Sequence, residues 1–401
     1  MLNFKKLDPT LISVKEAKIL VLKSCPKPVG AIVSLNDSLG CILDKATFGL
    51  IDTPPFDQSG MDGYAFSFDD WDKRGGLKVV GKVQAGFFNA NVLNPMEAVR
   101  IFTGAQLPSG FDTVVIQENT EVMGDKIFIK DPLLEKGNNV RPQGHQGKTG
   151  EMVLDKGFLV SPAAISYLAG TGLANVSVYK KPTVGIIITG NELIKPGDPI
   201  ETGKVFESNS FGLTAALKQI GIEPFSIKKV NDNEEDIRNA VLNQAGIDLL
   251  IVTGGVSVGE YDLVVPALEK CGVETIFHRV KQKPGKPLYF GKLNQKLVFG
   301  LPGNPAAVLT CFYEYVVPAI EKITKRSYFK SLHLALENDF KKKPGLTFFL
   351  KGKTKNNTVT ILENQESYLM NSFSHADCLV ELDADRHIFQ AGEMVMVKMI
   401  L

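Results

Sequence analysis

Two glycine-rich turns in the second half of the chain carry residue types that bind phosphate groups and divalent cations. TGNEL contains Glu192, and TGGVSVGEYD contains Gly254, Gly255, Ser257 and Asp262. Glycines let a backbone approach a ligand closely, and the serine supplies a polar contact. Carboxylates such as Glu192 and Asp262 suit Mg²⁺, which prefers oxygen ligands and keeps some of its waters. These turns therefore predict a site for a phosphate-bearing ligand with a divalent cation.

Two further turns carry positive charge and the start of a helix. In KQKPGKP, a Pro-Gly turn lies between Lys283 and Lys286 and fixes them as local cations for an oxyanion or a phosphate. In GLPGNPAA, Pro305 occupies the first position of a helix. We therefore expect the free N–H groups of that helix to face the end of a strand.

Each turn also has a plain structural interpretation. A single TGG or PGNP is often only a tight strand-to-helix turn, and lysines beside a Pro-Gly turn usually belong to a solvated loop. Glu192 would then be an ordinary exposed residue, and Asp262 a helix cap. Because all four turns are expected at one edge of one sheet, where ligands of α/β proteins bind, their joint occurrence favours the ligand site.

A fifth motif lies in the first half of the chain. PPFDQSGMDGYAF carries Asp57, Ser59 and Asp62, and the nearby RIFTGAQLPSGFDTVVIQE carries Thr103 after a strand. The alternative is a well-formed loop in which Asp62-Gly63 is simply a turn.

The elements that position these turns follow from hydrophobic periodicity. Ser13 and Glu16 form a capping box that opens an N-terminal helix. Residues 30–180 contain short strands separated by turn-forming residues, which predicts small β modules. From Pro182, strands alternate with helices, which predicts a mostly parallel, doubly wound α/β domain. After Ser327 the pattern becomes β again and favours a small barrel or sandwich.

Composition excludes several classes of protein. The 401 residues include 45 lysines and arginines against 44 acidic residues, so the net charge of +1 provides no basic field for nucleic acid or an anionic membrane. We expect no signal peptide and no membrane span. The five cysteines are scattered and never in CxxC spacing, which indicates reduced thiols. We therefore expect a cytoplasmic protein.

Taken in order along the chain, these segments resemble the molybdopterin molybdenumtransferase family, known as MoeA in bacteria and as the E domain of gephyrin in animals. Any one of them is weak, but eight in the family's order are highly specific. The eight are PPFDQSGMDGYAF, RIFTGAQLPSGFDTVVIQE, VRPQGHQGKTGE, TGNEL, SNSFGLTAAL, TGGVSVGEYD, KQKPGKP and GLPGNPAA. The C-terminal 75 or so residues match the family's β-barrel only in their general pattern of short apolar strands separated by turns.

The resemblance implies a multidomain fold and an elongated homodimer. The α/β domain would be a three-layer domain of the molybdopterin-binding type, with a β-rich insert module and a C-terminal β-barrel. The MDGYA and TGA loops would reach across the dimer into a cleft completed by the partner chain. The implied boundaries are an N-terminal helix at 1–26 packed on the α/β domain, a linking subdomain at 27–44 and 144–176, the β-rich module at 45–143, the α/β domain at 177–325 and the barrel at 326–401.

The implied reaction joins molybdate to the dithiolene of adenylylated molybdopterin and releases AMP. No nucleophilic side chain is needed, because a metal-polarised phosphoanhydride and an incoming oxyanion supply the chemistry. The resemblance also implies Mg²⁺ and transient contact with a molybdopterin adenylyltransferase that supplies the substrate. The expected catalytic residues are Asp62, Thr103, Glu192 and Asp262, the metal ligands Glu192, Asp232 and Asp262, and the substrate-binding residues Arg141, Gly254, Gly255, Ser257, Lys283, Lys286 and Asn304.

Two positions depart from the family pattern. Asn191 stands where the family usually has Asp, so the metal-binding role is placed on Glu192 instead. Gly144-His145-Gln146 stands where the family has Gly-Glu-Asp, which puts an acidic role for this loop in doubt. His145 is expected to be a surface histidine, with a polar contact as the alternative.

Three other functions remain as alternatives. A molybdopterin adenylyltransferase shares the α/β core but typically carries TGGTG followed by an Arg-Asp pair, and it lacks the extra β modules. A non-catalytic scaffold would leave the acidic residues without a role, and no added partner-binding arm is visible. A nucleotide-binding regulator with the same α/β fold comes last.

Overall fold

A computed structural model describes residues 11–87, 94–256 and 263–401. The chain forms two compact units, one built from the residues up to Ala31 together with Tyr179–Leu401, and the other from Ile32–Val178. Within the described ranges, no helix is long and apolar enough to cross a membrane.

The first helix in the described residues is α1 (Val14–Ser24), and the predicted capping box is present, since Ser13 and Glu16 exchange hydrogen bonds at its start. The smaller unit that follows is mainly β. Its elements are β1 (Gly30–Ser34), β2 (Thr47–Phe48), β3 (Gln58–Ser59), β4 (Gly63–Phe66), β5 (Leu77–Val83), β6 (Glu97–Ile101), β7 (Thr113–Ile116), β8 (Thr120–Met123), β9 (Lys126–Ile129), β10 (Val140–Arg141), β11 (Met152–Leu154), α2 (Pro162–Gly170) and β12 (Asn175–Tyr179).

A sheet of order β7-β4-β6-β5-β9-β8 forms the centre of the smaller unit. Its two faces bury separate apolar clusters, because alternate residues of a strand point to opposite sides: Ala65 and Val99 lie in one cluster, and Phe66 and Ala98 lie in the other. This sheet holds the segments before and after β4 in place.

The larger unit contains a sheet of order β16-β13-β17-β21-β20-β18, in which β13 pairs in parallel with β16 and β17, and β17 with β21. Strands β18 and β20 form an antiparallel edge. The elements are β13 (Val184–Thr189), β14 (Leu193–Ile194), β15 (Val205–Phe206), α3 (Asn209–Gln219), β16 (Ser226–Val230), α4 (Glu234–Leu242), β17 (Leu249–Thr253), α5 (Val264–Lys270), β18 (Glu274–His278), β19 (Gln282–Lys283), β20 (Tyr289–Leu293), β21 (Lys296–Leu301), α6 (Pro305–Cys311), the π-helical segment Phe312–Val316 and α7 (Val317–Thr324).

Both faces of this sheet are covered, as the apolar strands predicted. Every residue of β13 is buried; Ile186 and Ile188 pack into one core, and Ile187 packs into the other. The predicted doubly wound α/β domain is confirmed. Strands β16, β13, β17 and β21 all run in one direction, and so does β18, because it is antiparallel to β20, which is antiparallel to β21. Their carboxyl ends therefore lie at one edge of the sheet.

The C-terminal part closes into a five-stranded barrel through the pairings β24-β25-β22-β28-β26 and β26 back to β24. This resolves the choice between a barrel and a sandwich. Its elements are β22 (Ser331–Leu336), β23 (Phe340–Lys341), β24 (Thr347–Lys355), β25 (Thr358–Ile361), α8 (Met370–His375), β26 (Cys378–Leu382), β27 (Ile388–Phe389) and β28 (Met394–Met399).

A buried ion network joins the first helix of the larger unit to its last strand. The Glu314 carboxylate, 2% exposed, lies 2.7 Å from the Lys18 ammonium and 3.1 Å from that of Lys398. Burial raises the pKa of Glu314, but Lys398 and Lys18 lower it by more, so the net pKa is below the ordinary value. Such a buried charge is tolerated only while its partners remain.

Candidate active site

Two neighbouring strands of the larger unit end in buried hydroxyl groups. Thr189 closes β13 and Thr253 closes β17, and their side chains are 3% and 0% exposed. Neither hydroxyl has a hydrogen-bond partner among the described residues. Buried polar groups are nearly always paired, so these two hydroxyls are exceptions among the described residues.

Glycines bring the turns after these strands into contact. A Cβ atom on Gly254 would lie 2.4 Å from the Thr189 carbonyl oxygen, and the φ angle of Gly254 is +89°. A Cβ on Gly303 would lie 3.9 Å from the Cα of Gly254. The TGG and PGN turns therefore lie next to each other, and both predicted glycines, Gly254 and Gly255, lie in this region.

The TGNEL turn is bonded to the loop after β16. The Asn191 backbone N–H donates to Asp232 Oδ2 at 3.2 Å, and the Asp232 N–H donates to Asn191 Oδ1 at 3.0 Å. The Glu192 carboxylate turns back over the strand end, with Oε2 2.9 Å from the position that a Cβ on Gly190 would take. Asn191 is the residue that departs from the family pattern. Its hydrogen bonds hold the turn that carries Glu192 next to the loop that carries Asp232, and both of these acids are predicted metal ligands.

Two of the three predicted metal ligands, Glu192 and Asp232, lie within the described residues. No group of three or more His, Cys, Asp or Glu residues able to hold a metal occurs within the described ranges. Mg²⁺ is commonly bound by one or two carboxylates together with substrate phosphates and waters, and Glu192 and Asp232 are of that type. The third predicted ligand, Asp262, and the predicted substrate contact Ser257 lie outside the described residues.

A buried glutamine shapes the lysine turn from within. The Gln282 side-chain amide donates to the carbonyl oxygens of Pro284 and Gly285, both at 3.1 Å, and its Oε1 accepts a hydrogen bond from the Tyr315 hydroxyl. This leaves Lys283 and Lys286 exposed on the outside of the turn. The sequence interpretation missed Gln282, because only its burial distinguishes it from a solvated loop residue.

The same turn packs on helix α6. A Cβ on Gly285 would lie 2.5 Å from the Cys311 sulfur. The lysine turn is thereby connected, through α6, to the PGN turn from which that helix starts.

The expectation of free N–H groups at the start of α6 is wrong for Ala306. Its N–H donates to the Ser367 carbonyl oxygen at 3.1 Å, and the Asn304 side-chain amide donates to Ser367 Oγ at 2.8 Å. A segment of the C-terminal barrel thus caps the helix. Asn209, from the SNSFG motif, donates to the Gly303 carbonyl at 2.9 Å, and its own Oδ1 is buried and has no partner within the described part of the chain.

In the smaller unit, the structure brings Asp62 and Thr103 into direct contact. Asp62 Oδ1 accepts hydrogen bonds from the Thr103 N–H at 2.8 Å and from the Thr103 hydroxyl at 2.7 Å. These bonds lower the pKa of Asp62, so the exposed carboxyl group is ionised at neutral pH. By contrast, two other polar residues of the same motif have structural roles. Asp57 accepts a hydrogen bond from the Gln143 N–H, and the Ser59 hydroxyl donates to the Met61 carbonyl.

Arg100 is a further member of the Asp62 cluster that the sequence interpretation did not assign. Its guanidinium donates to the Gly63 carbonyl at 2.7 Å and also to the Gln117 side chain. It lies 5.1 Å from the ring centre of Tyr64 and 5.0 Å from that of Phe102. The available signal was an arginine flanked by the apolar residues Val99 and Ile101, three positions before the first residue of the TGA turn.

Arg141 lies beside the beginning of the same loop. It pairs with Gln58 across β10 and β3, and its Nε is 3.7 Å from the position of a Cβ on Gly60. No hydrogen bond to Asp62 is present. His145 is exposed, as expected, and its backbone N–H donates to the Pro142 carbonyl.

Comparisons with known proteins agree along the whole chain. Residues 12–172 match the family model of the MoeA N-terminal region (domain I and II), residues 185–322 that of a probable molybdopterin binding domain, and residues 333–400 that of the MoeA C-terminal region (domain IV).

Similar proteins match over nearly their full length. The molybdopterin molybdenumtransferase of Haemophilus influenzae is 32% identical over 398 residues, which are 97% of this chain and 98% of the relative. Its counterpart in Staphylococcus epidermidis is 33% identical over 400 residues, 97% of this chain and 95% of the relative. A crystal structure of a molybdopterin biosynthesis MoeA protein from Pyrococcus horikoshii has a TM-score of 0.79 and 28% identity, and covers 98% of this chain and 100% of its own. The chain therefore belongs to the MoeA family of molybdopterin molybdenumtransferases.

Proposed function

We propose that this protein is the transferase of molybdenum cofactor biosynthesis that inserts molybdate into adenylylated molybdopterin. Two Mo–S bonds form with the dithiolene, one oxo group of molybdate leaves as water with the two thiol protons, and water cleaves the phosphoanhydride to release AMP. Family membership supports this function. The observation that carries it is the close approach of the TGG and PGN turns beside the Thr189 hydroxyl, which has no partner among the described residues.

The larger unit is proposed to hold the anionic parts of the substrate. Gly254 and Gly303 let the TGG turn, the PGN turn and the end of β13 pack closely together, and the hydroxyls of Thr189 and Thr253 are proposed to supply hydrogen bonds to a phosphate or molybdate oxygen. Lys283 or Lys286 would neutralise negative charge from outside the turn. The proposed reaction needs no covalent intermediate on a side chain.

Glu192 and Asp232 are proposed to hold Mg²⁺ together with oxygens of the substrate. When bound, a divalent cation stabilises the charge that develops on the phosphoanhydride as it is cleaved. The reciprocal hydrogen bonds of Asn191 keep the two loops that carry these carboxylates together.

Asp62 is proposed to act as a fixed anion that accepts hydrogen bonds or orients a cationic group. Its lowered pKa makes it a weak base, because proton acceptance is most effective when the pKa lies near the working pH. Thr103 holds the carboxylate in one orientation.

The active form is proposed to be a cytoplasmic homodimer that receives its substrate from a molybdopterin adenylyltransferase. These proposals rest on the family resemblance. Two findings disfavour the alternative that this chain is itself an adenylyltransferase. The MoeA family models match the chain on both sides of the α/β domain. The molybdenumtransferase of Haemophilus influenzae is similar to this chain over 97% of its length. Those relatives' names also disfavour a scaffold or a regulator.

The decisive experiment follows AMP release from adenylylated molybdopterin by the purified protein with Mg²⁺, in the presence and absence of molybdate. We expect release to depend on molybdate and the product to contain molybdenum bound to the dithiolene. AMP release that is unaffected by omission of molybdate would contradict insertion chemistry. Light scattering on the same sample measures whether the protein is a dimer. A monomer that is active would contradict the proposed homodimer.

A further inference from the structure

Two lysines hold the TGNEL turn from outside. The Lys204 ammonium donates to the Asn191 carbonyl oxygen at 2.7 Å, and the Lys229 ammonium donates to the Leu193 carbonyl oxygen. The two lysines follow their acceptors by 13 and 36 positions. Lys204 directly precedes β15, and Lys229 lies in β16. The turn is therefore held by two different elements that come later in the chain.

The carbonyl group between these two acceptors is also bonded. The Glu192 carbonyl oxygen accepts from the Val205 N–H at 2.9 Å, beside the short parallel pairing of β14 with β15. Three consecutive carbonyl groups of the turn are thus satisfied, one by a backbone N–H and two by ammonium groups. Because hydrogen bonds from charged donors are stronger than neutral ones, the lysine contacts add to what the strand pairing alone provides.

The residue at the centre of these contacts is a proposed metal ligand. The Glu192 side chain folds back over the strand end, with Oε2 2.9 Å from the position that a Cβ on Gly190 would take. On its other side, the turn is bonded to Asp232 through Asn191. The direction of the Glu192 carboxylate therefore depends on a short stretch of backbone that the two lysines hold.

The family resemblance assigns no role to either lysine. Both lie outside the eight segments that carry the resemblance, and both donate to the turn in which Asn191 stands where the family usually has Asp. The bonds of the two lysines go to backbone carbonyl groups, which are present whatever the side chains of the turn are. A pattern of side chains therefore does not mark these contacts.

We propose that Lys204 and Lys229 are positioning residues of the active site, which hold the TGNEL turn so that Glu192 keeps its working orientation. This inference rests on the proposed function, because it assumes that Glu192 takes part in the reaction. Neither lysine reacts. Each acts through Glu192, by fixing the carbonyl group of the residue before it or after it.

The test compares Lys204→Met, Lys229→Met and the double variant with the control Lys195→Met, which alters an exposed lysine just after the same turn. Methionine keeps most of the side chain's length and removes the ammonium group. Contacts of this kind at a surface are weak, so we expect kcat for AMP release to fall about threefold in each single variant and about tenfold in the double variant.

Two further comparisons separate positioning from a general effect of charge. KM for adenylylated molybdopterin should stay within about twofold in all variants, because Glu192 is proposed to act on the reacting groups. Lys204→Arg keeps a charged donor and is expected to retain kcat, and Lys195→Met should match the unaltered protein. An equal loss of kcat in Lys195→Met would overturn the inference, because the loss of any nearby positive charge would then suffice.

Hydrogen exchange measured by mass spectrometry gives a readout that does not need turnover. The double variant should take up deuterium faster in the peptide covering residues 190–195, because a turn that moves breaks the bond from the Asn191 N–H to Asp232. Each single variant is measured in the same way, so the test does not depend on the double variant being folded.

Unchanged exchange in folded variants that lack these ammonium groups, or unchanged kcat, would overturn the inference. If the unaltered protein releases no AMP, the proposed function fails, and the exchange comparison alone decides whether the lysines hold the turn.

Discussion

The two candidate regions are built in different ways. At the sheet edge of the larger unit, the site consists largely of backbone: strand ends and turns that glycines allow to pack closely, together with two buried threonine hydroxyls. In the smaller unit, the Asp62 cluster consists of exposed side chains held by Thr103 and Arg100. A backbone site tolerates little added volume, whereas a side-chain cluster responds to changes of charge and hydrogen bonding. The variants below test that distinction.

The largest effect is expected for Gly254→Ala. The new Cβ would meet the Thr189 carbonyl at 2.4 Å, and the φ angle of +89° is unfavourable for alanine. We expect kcat/KM to fall about 100-fold, because the turn moves away from its ligand-binding position. The control is Gly246→Ala, where φ is +72° but no atom lies within 4 Å of the new Cβ. Equal activity loss in both variants would mean that backbone strain alone, and no loss of space at the site, is responsible.

The next effect is expected for Asp62→Asn, measured as AMP release. It removes a charge without changing the shape of the side chain, so we expect kcat/KM to fall about 30-fold with an unchanged melting temperature. The control is Asp125→Asn, at another exposed turn of the smaller unit. Full activity of Asp62→Asn would remove the smaller unit from the proposed chemistry.

Thr103→Val should reduce kcat/KM about tenfold and also change its pH dependence. Thr103 lowers the pKa of Asp62, so the carboxylate persists to lower pH in the unaltered protein. Loss of the hydroxyl raises that pKa, and the acidic limb of the kcat/KM profile should move to higher pH. An acidic limb that stays in place, with activity lowered uniformly, would show that Asp62 ionisation does not control the rate.

The smallest effect is expected for His145→Ala. The side chain is exposed and the loop is held by backbone bonds, so activity should remain within about twofold of the unaltered protein. A larger loss, measured in the same assay, would assign His145 the polar contact that was the alternative interpretation of this loop.

The difference between the backbone site of the larger unit and the side-chain cluster of the smaller unit also explains what the sequence could predict. Alternating strands and helices predicted the sheet, and hence the edge at which TGNEL, TGG and PGNP come together, because strand direction follows from local pattern. The sequence predicted Asp62 and Thr103 as functional residues of two separate family motifs, and it did not predict their contact. Ser257 and Asp262 lie outside the described residues and stay predictions.

The contacts that the sequence did not predict are distant in the chain. Ser367 reaches Asn304 across 63 positions, and Lys229 reaches the Leu193 carbonyl, which no side-chain pattern marks, across 36. Gln282 looked like a loop residue until its burial against Tyr315 was known. Such non-local pairing depends on how whole elements pack, which hydrophobic periodicity does not encode.

The ion network around Glu314 has a consequence for how the chain is made. Lys18 is synthesised before the smaller unit, residues 32–178, and Lys398 is synthesised long after it. The smaller unit has its own core and can fold while helix α1 still lacks its partners. The ion network can be completed only once Lys398 has been added, so loss of either lysine would leave the same buried carboxylate without one of its two cations.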